Sequence, residues 1–244
     1  GQANVAGGPV LEMGCGTGRV ALALADAGFD VTGVDISPRM IEQAKAKAKT
    51  RGLADRSTFI VADMAEEDPG ANADFGLVLF PFRSFQSMLS PDEQREALEN
   101  AAAHLRPGGL LALDIFSPDM EQLGDRRDEA VPFHVRDVDQ AGGGSIVIWG
   151  QNQWDPISQI NSARLIIEEV NAAGLMTARH FRDFDLRYTF RYELEHLLEL
   201  SGFTIEHVCG AIARRGGIKP GDQCRHEPHQ RQHRVAPADA GFMV

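Results

Sequence analysis

The chain has 244 residues, 43% of them hydrophobic and 24% charged, enough for one sizeable α/β domain with an added subdomain, or for two small domains, and contrary to wholesale disorder. A formal net charge of −11 argues against broad contact with a nucleic-acid backbone. Three cysteines (Cys15, Cys209, Cys224) are too few and too odd in number for a disulfide framework and fit a reducing cytosol; no stretch has the apolar length to span a bilayer. In chain order, the start Gly1-Gln2-Ala3-Asn4 has neither the basic nor the apolar region of a secretory signal. Val10 to Met13 reads as a buried strand, followed by a helix from about Gly18 to Ala27 that Gly28 ends. Asp30 to Val34 is a second strand, and Ser37-Pro38 opens a helix that runs to about Arg51. Thr58 to Ala62 and Phe75 to Phe80 are the third and fourth strands. Ser90-Pro91-Asp92-Glu93 carries both capping-box partners and starts the next helix, which Arg106-Pro107-Gly108-Gly109 breaks before a fifth strand, Leu110 to Phe116. The series predicts a doubly wound, mostly parallel sheet.

Beyond Ser117 the pattern changes. Segments near 131–138, 145–154, 160–171 and 175–188 read as antiparallel strands, with Gly142-Gly143-Gly144, Asp155-Pro156 and Asn171-Ala172-Ala173-Gly174 as turns. Helical periodicity returns from Thr189 to Leu200, and Phe203 to Val208 is a further strand. The expected organisation is a cofactor-binding core at 1–116, an antiparallel extension at 117–188, a return to the core at 189–209 and an atypical, weakly packed tail at 210–244. That tail has few large apolar residues, so the sheet is expected to lack a last strand after Gly210 and to expose an edge.

The chemistry concentrates at strand ends. Gly14, Gly16 and Gly18 form a G-x-G-x-G turn between strand and helix, where backbone approaches a ligand without Cβ interference. Arg19 stands where the dinucleotide pattern G-x-G-x-x-G wants its third glycine, and Glu12 precedes the turn. Asp35, ending the second strand, can accept from two adjacent ribose hydroxyls. Asp63, after the third strand, can accept from an adenine amine, with Met64 beside it. Ligands in open α/β sheets bind at the carboxyl ends of the strands, so the three acids converge on one crevice.

Leu11-Glu12-Met13-Gly14-Cys15-Gly16-Thr17-Gly18-Arg19 and Val31-Thr32-Gly33-Val34-Asp35-Ile36-Ser37 resemble the first two motifs of class I S-adenosylmethionine-dependent methyltransferases. Ala62-Asp63-Met64 resembles their adenine motif, and His104-Leu105-Arg106-Pro107-Gly108-Gly109 the turn before their fifth strand. The resemblance covers roughly the first half of the chain and implies S-adenosylmethionine as cofactor on a Rossmann-like fold. It implies further that Glu12, Gly14, Cys15, Gly16, Thr17 and Gly18 meet the methionine end, Asp35 the ribose, Ile36 and Met64 the adenine faces, Asp63 the adenine amine, and the Phe80 carbonyl the amino group. The segment 186–193, followed by Leu197-Leu198 and Ser201-Gly202-Phe203, resembles a subgroup acting on small molecules, whose antiparallel extension covers the substrate side. The chain departs from the family in the helices that usually precede the first strand and in the apolar final strand. Both departures motivate an alternative, a cofactor-binding module that turns over slowly; an NAD(P)-dependent oxidoreductase is the rival from another enzyme class.

Arg83, Ser84 and Gln86 follow the fourth strand as substrate contacts or as a solvated loop. Arg187, Tyr188 and Arg191 line a substrate pocket, or the two arginines pair with Glu193 or Glu195. No general base stands out among the histidines, and an activated sulfonium needs alignment more than a base. Cys224, His226, His229 and His233 have ligand-like spacing but no surrounding core, so no metal site is expected. The acidic body and the loop Leu79-Phe80-Pro81-Phe82 point to a small-molecule acceptor, with no nucleic acid or membrane partner and a cytoplasmic setting. Self-association is expected, if anywhere, through the extension or an exposed sheet edge.

Overall fold

The computed structural model describes residues 7–65, 74–116, 120, 123, 131–140, 142–208 and, as backbone, 241–243. The elements are β1 (Val10–Met13), α1 (Arg19–Asp26), β2 (Val31–Asp35), α2 (Pro38–Thr50), β3 (Ser57–Val61) and β4 (Phe75–Phe80). A 3-10 turn at Ser84–Ser87 leads to α3 (Pro91–His104) and β5 (Leu105–Leu113). Then come β6 (Phe133–Asp139), β7 (Ser145–Asp155), β8 (Ile160–Val170), β9 (Met176–Arg187), α4 (Arg191–Leu200), β10 (Thr204–His207) and β11 (Gly241–Met243). Two compact units result, Gly1–Ile115 with Arg191–Val244, and Phe116–Phe190.

The first unit is built on a seven-stranded sheet, ordered β10-β11-β5-β4-β1-β2-β3, in which all pairings are parallel. Residues alternate between its faces, as strands buried on both sides require. Val10, Val31, Phe59 and Leu77 pack with Ala21, Leu22 and Ala25 of α1 and Ile41, Ala44 and Ala48 of α2. Leu11, Met13, Val78, Phe80, Leu111 and Leu113 pack instead with Ala97, Leu98 and Ala101 of α3 and Leu194 and Leu198 of α4. Helix α1 therefore leaves β1 for one face, while α3 follows β4 onto the other. The helix starts follow their sequence signals. Ser37 accepts the Met40 N–H with Pro38 in the first turn of α2, and Ser90 and Glu93 close a capping box on α3.

The second unit is an antiparallel sheet in the order β6-β7-β8-β9. Asn171 holds its third turn, its side-chain oxygen accepting from Ala173 and Leu175 N–H.

The Rossmann-like doubly wound sheet and the antiparallel extension after the fifth strand are as the sequence predicts. Two expectations are corrected. The break at Arg106–Gly109 lies within β5, as a bulge between Leu105, opposite Phe75, and Leu110, opposite Leu77; Gly108 takes φ 74°, and the strand ends at Leu113 rather than Phe116. The sheet also gains a strand after Gly210: β11 enters between β5 and β10, pairing Phe242 with Leu111 and Ile205. A three-residue insertion is too short to leave a period-2 pattern. The rest of the tail, with Cys224, His226, His229 and His233, lies outside the described residues, as do Cys209 and residues 1–6.

Candidate cofactor crevice

Strands β1 and β4 are neighbours, and the chain leaves their carboxyl ends toward opposite faces, which opens a crevice at that switch point. The glycine turn occupies one lip. Gly14, Gly16 and Gly18 have φ of 73°, 53° and 78°, the left-handed region that glycine alone adopts without strain. Their surroundings differ. A Cβ on Gly14 would lie 2.6 Å from Ser84 Cβ, and one on Gly18 would lie 3.0 Å from Phe59, whereas Gly16 has nothing within 4 Å. Gly14 and Gly18 are required by packing, while Gly16 faces open space.

Glu12 ends inside this turn. It is 2% exposed, and its carboxyl accepts from the Ala21 N–H in the first turn of α1, while Oε2 has no partner. Burial pushes its pKa up to about 8; the Ala21 N–H and Arg19 pull it down, and Asp35 pushes it up. The Cys15 thiol is buried too and is pushed well above its ordinary value by burial, then by Glu12 and Asp35. Cys15 fixes the turn through backbone, donating its N–H to Val34 O at 2.8 Å. The Thr17 hydroxyl accepts from Lys47 Nζ at 2.6 Å.

Asp35 is engaged on both oxygens, accepting from Gly16 N–H at 2.7 Å and Ser37 N–H at 2.9 Å. It is thus a tie between the glycine turn and the start of α2 rather than a free acid on a rim, although each oxygen keeps a further lone pair. Ile36 beside it is 67% exposed. Ala62 donates its N–H to Asp35 O at 3.2 Å, bringing the end of β3 to the end of β2, and Asp63 Oδ1 accepts from Ala65 N–H at 3.0 Å. The Met64 carbonyl accepts from Asn100 at 3.1 Å, and its methyl carbon lies 3.4 Å from the Cβ position of Gly14.

The other lip follows β4. The Phe80 carbonyl accepts from Asp114 N–H at 3.3 Å, and Asp114 Oδ1 accepts from Phe82 N–H at 2.6 Å. Phe82 and Arg83 both take left-handed φ, 54° and 65°, and Arg83 caps the 3-10 turn. Ser84 reaches back across the crevice, its hydroxyl donating to Met13 O at 3.0 Å. Gln86 is fully buried. Arg187 and Tyr188 lie in the second unit and hold its second turn: Arg187 donates to Gln159 Oε1 at 2.8 Å, and the Tyr188 hydroxyl to Asp155 O at 3.4 Å.

Glu12, Gly14, Gly16, Asp35 and Met64 therefore share one neighbourhood with Ser84. Sequence reasoning missed the roles of Asp114, Ser84 and the Arg19–Phe82 stack, in which the guanidinium carbon lies 3.4 Å from the ring centroid. Those contacts join residues far apart in the chain, and no local pattern announces them. Among the described residues no group of three or more His, Cys, Asp or Glu side chains is placed to hold a metal ion, and no helix is long and apolar enough to cross a membrane.

Residues 10–109 match the family model of the methyltransferase domain. The chain is 35% identical over 124 residues to the O-methyltransferase resE of Aspergillus sclerotiorum, covering 48% of this chain and 45% of that protein. It is 37% identical over 112 residues to the 27-O-demethylrifamycin SV methyltransferase of Amycolatopsis mediterranei, covering 46% and 39%. The match thus spans less than half the length of these curated relatives. Among solved structures, the CcbJ methyltransferase from Streptomyces caelestis aligns with a TM-score of 0.64 at 28% identity, over 80% of this chain and 72% of that one.

Proposed function

We propose that this chain, whose residues 10–109 match the methyltransferase-domain model, is a class I S-adenosylmethionine-dependent methyltransferase that transfers a methyl group from this cofactor to a small-molecule acceptor. The observation that carries the proposal is the pairing of an open glycine with an orphaned acid: nothing lies within 4 Å of the Gly16 Cβ position, and Glu12 Oε2 is buried without a partner. That donor set fits S-adenosylmethionine. Glu12 would accept from its ammonium, with Gly14, Cys15, Gly16, Thr17 and Gly18 as the backbone around the methionine end and the Phe80 carbonyl as a second acceptor. Asp35 would offer its remaining lone pairs to the ribose hydroxyls. Ile36 and Met64 would flank the adenine, and Asp63 would accept from its amine.

Bound, the cofactor supplies an electrophilic methyl on a sulfonium, so the chain's task is alignment and exclusion of water. Asp35 ties the glycine turn to the end of β2, and Ser84 ties the loop after β4 to the end of β1, so the backbone of each lip is anchored to the sheet. Acceptor contact is assigned to Arg83 on the loop after β4; Gln86, fully buried, and Arg187 and Tyr188, which hold a turn of the second unit, are not assigned to it, and no residue is assigned as general base. The small-molecule acceptor draws support from the net charge of −11 and from a relative named for a rifamycin substrate. The proposal places the protein in the cytoplasm and any self-association on the extension or a sheet edge.

The test is a panel of small alcohols, phenols and amines incubated with the protein and methyl-labelled cofactor. Label should enter at least one of these classes. Methylation of DNA, RNA or intact protein, with none of the small acceptors labelled, would overturn the acceptor class.

A further inference from the structure

The crevice is bridged from lip to lip. Arg19 is the first residue of α1, on the lip that follows β1; Phe82 is on the lip that follows β4. The guanidinium carbon of Arg19 lies 3.4 Å from the centroid of the Phe82 ring, close contact for a cation on an aromatic face. Because β1 and β4 flank the switch point and their following helices pack on opposite faces, a side-chain pair joining these two loops spans the gap through which a ligand enters.

The loop is held in an unfavourable conformation to present that ring. Phe82 and Arg83 are consecutive non-glycine residues at φ 54° and 65°, a geometry that costs free energy and persists only when the surroundings enforce it. The surroundings do so here. Asp114 accepts the Phe82 N–H at 2.6 Å, and Ser84 donates its N–H to Pro81 O at 3.2 Å and its hydroxyl to Met13 O at 3.0 Å. Yet Phe82 remains 59% exposed, so core packing does not explain the strain.

We propose that Arg19 and Phe82 form a latch across the crevice that parts to admit the cofactor and closes to retain it, with Asp114 as its positioning residue. The proposal rests on the cofactor assignment above. With the latch closed, the bridge from lip to lip slows release and shields the methionine end from water.

The test is retention of tritiated S-adenosylhomocysteine by the full chain, chased with excess unlabelled ligand. Phe82→Leu and Arg19→Met should each accelerate release roughly three- to ten-fold, the scale of a lost cation–aromatic contact. The double variant should release no faster than the quicker single one, because both remove the same contact. Phe82→Tyr should stay within about two-fold of the wild type, since the ring face is kept. Phe82→Gly discriminates most sharply: it should release ligand faster while melting at or above the wild-type temperature, because glycine relieves the strained φ. Unchanged release in Phe82→Leu and Arg19→Met, or fully additive effects in the double variant, would overturn the latch. Failure of the wild type to retain any label would overturn the cofactor assignment, and the latch with it.

Discussion

At pH 7 the cofactor-free protein holds a proton on Glu12. Its carboxyl is withdrawn from water, and burial outweighs the Ala21 N–H and the Arg19 charge, leaving the pKa at about 8 against an ordinary 4.5. The folded protein therefore binds this proton more tightly than the unfolded chain does. The stability it confers is complete below pH ~4.5 and is lost progressively up to pH ~8, where both states are ionised. Glu12→Gln removes this dependence. The variant should gain on the wild type by about 1.4 kcal/mol per pH unit between pH 5.5 and 7.5, with the difference levelling off above pH 8. Denaturant unfolding of both proteins across that range checks it; a difference that does not vary with pH would mean that Glu12 ionises normally. The same acid shows what a sequence conveys. Its place before G-x-G-x-G marked it as a site residue, but its unpaired oxygen and its neutral state depend on the helix start that covers it. Asp35 likewise reads as a ribose acceptor at a strand end, yet its bond to the Gly16 N–H joins residues 19 apart and emerges only from the pairing of β1 with β2.

Among elements, the glycine turn separates folding from binding within three alternate positions. Gly14→Ala forces a methyl to 2.6 Å from Ser84 Cβ at φ 73°, where neither backbone nor short side chain yields easily. It should cost roughly 2–4 kcal/mol of stability. Gly16→Ala carries only the left-handed strain, about 1 kcal/mol, because its methyl enters open space. That space is where the cofactor is assigned, so Gly16→Ala should fold nearly normally and bind S-adenosylhomocysteine at least about ten-fold more weakly. Thermal melts and titrations of the two variants should show this crossed pattern; equal stability losses with equal affinity would contradict it. Strands β1 to β4 and the helices between them are legible in the sequence because each combines an apolar period with a cap or a turn residue. The start of β5 was hidden by Arg106-Pro107-Gly108-Gly109, which reads as a terminator but forms a bulge opposite β4. Strand β11 was hidden for a different reason: Gly241–Met243 qualifies as a strand only through the neighbours it pairs with.

For the whole molecule, strand order decides where chemistry can happen. The chain turns from β3 back across β1 to β4, and because the strands are parallel the ends of β1, β2 and β3, with Glu12, Asp35 and Asp63, lie along the same edge of the sheet. The fold class, and the strand ends on which the cofactor site is proposed, were legible because their signals are local and recur in order. The bridge from Arg19 to Phe82 and the tie from Asp114 were not, since they exist only when distant strand ends are neighbours. The central claim is that this crevice takes S-adenosylmethionine rather than a nicotinamide dinucleotide, Arg19 standing where a dinucleotide turn needs glycine. Calorimetric titration of the full chain with S-adenosylhomocysteine and, separately, with NAD tests it most directly. The account predicts saturable one-to-one binding of S-adenosylhomocysteine, weakened by about 1.5–3 kcal/mol in Asp35→Ala, and no heat from NAD. Tight NAD binding with no response to S-adenosylhomocysteine would contradict it.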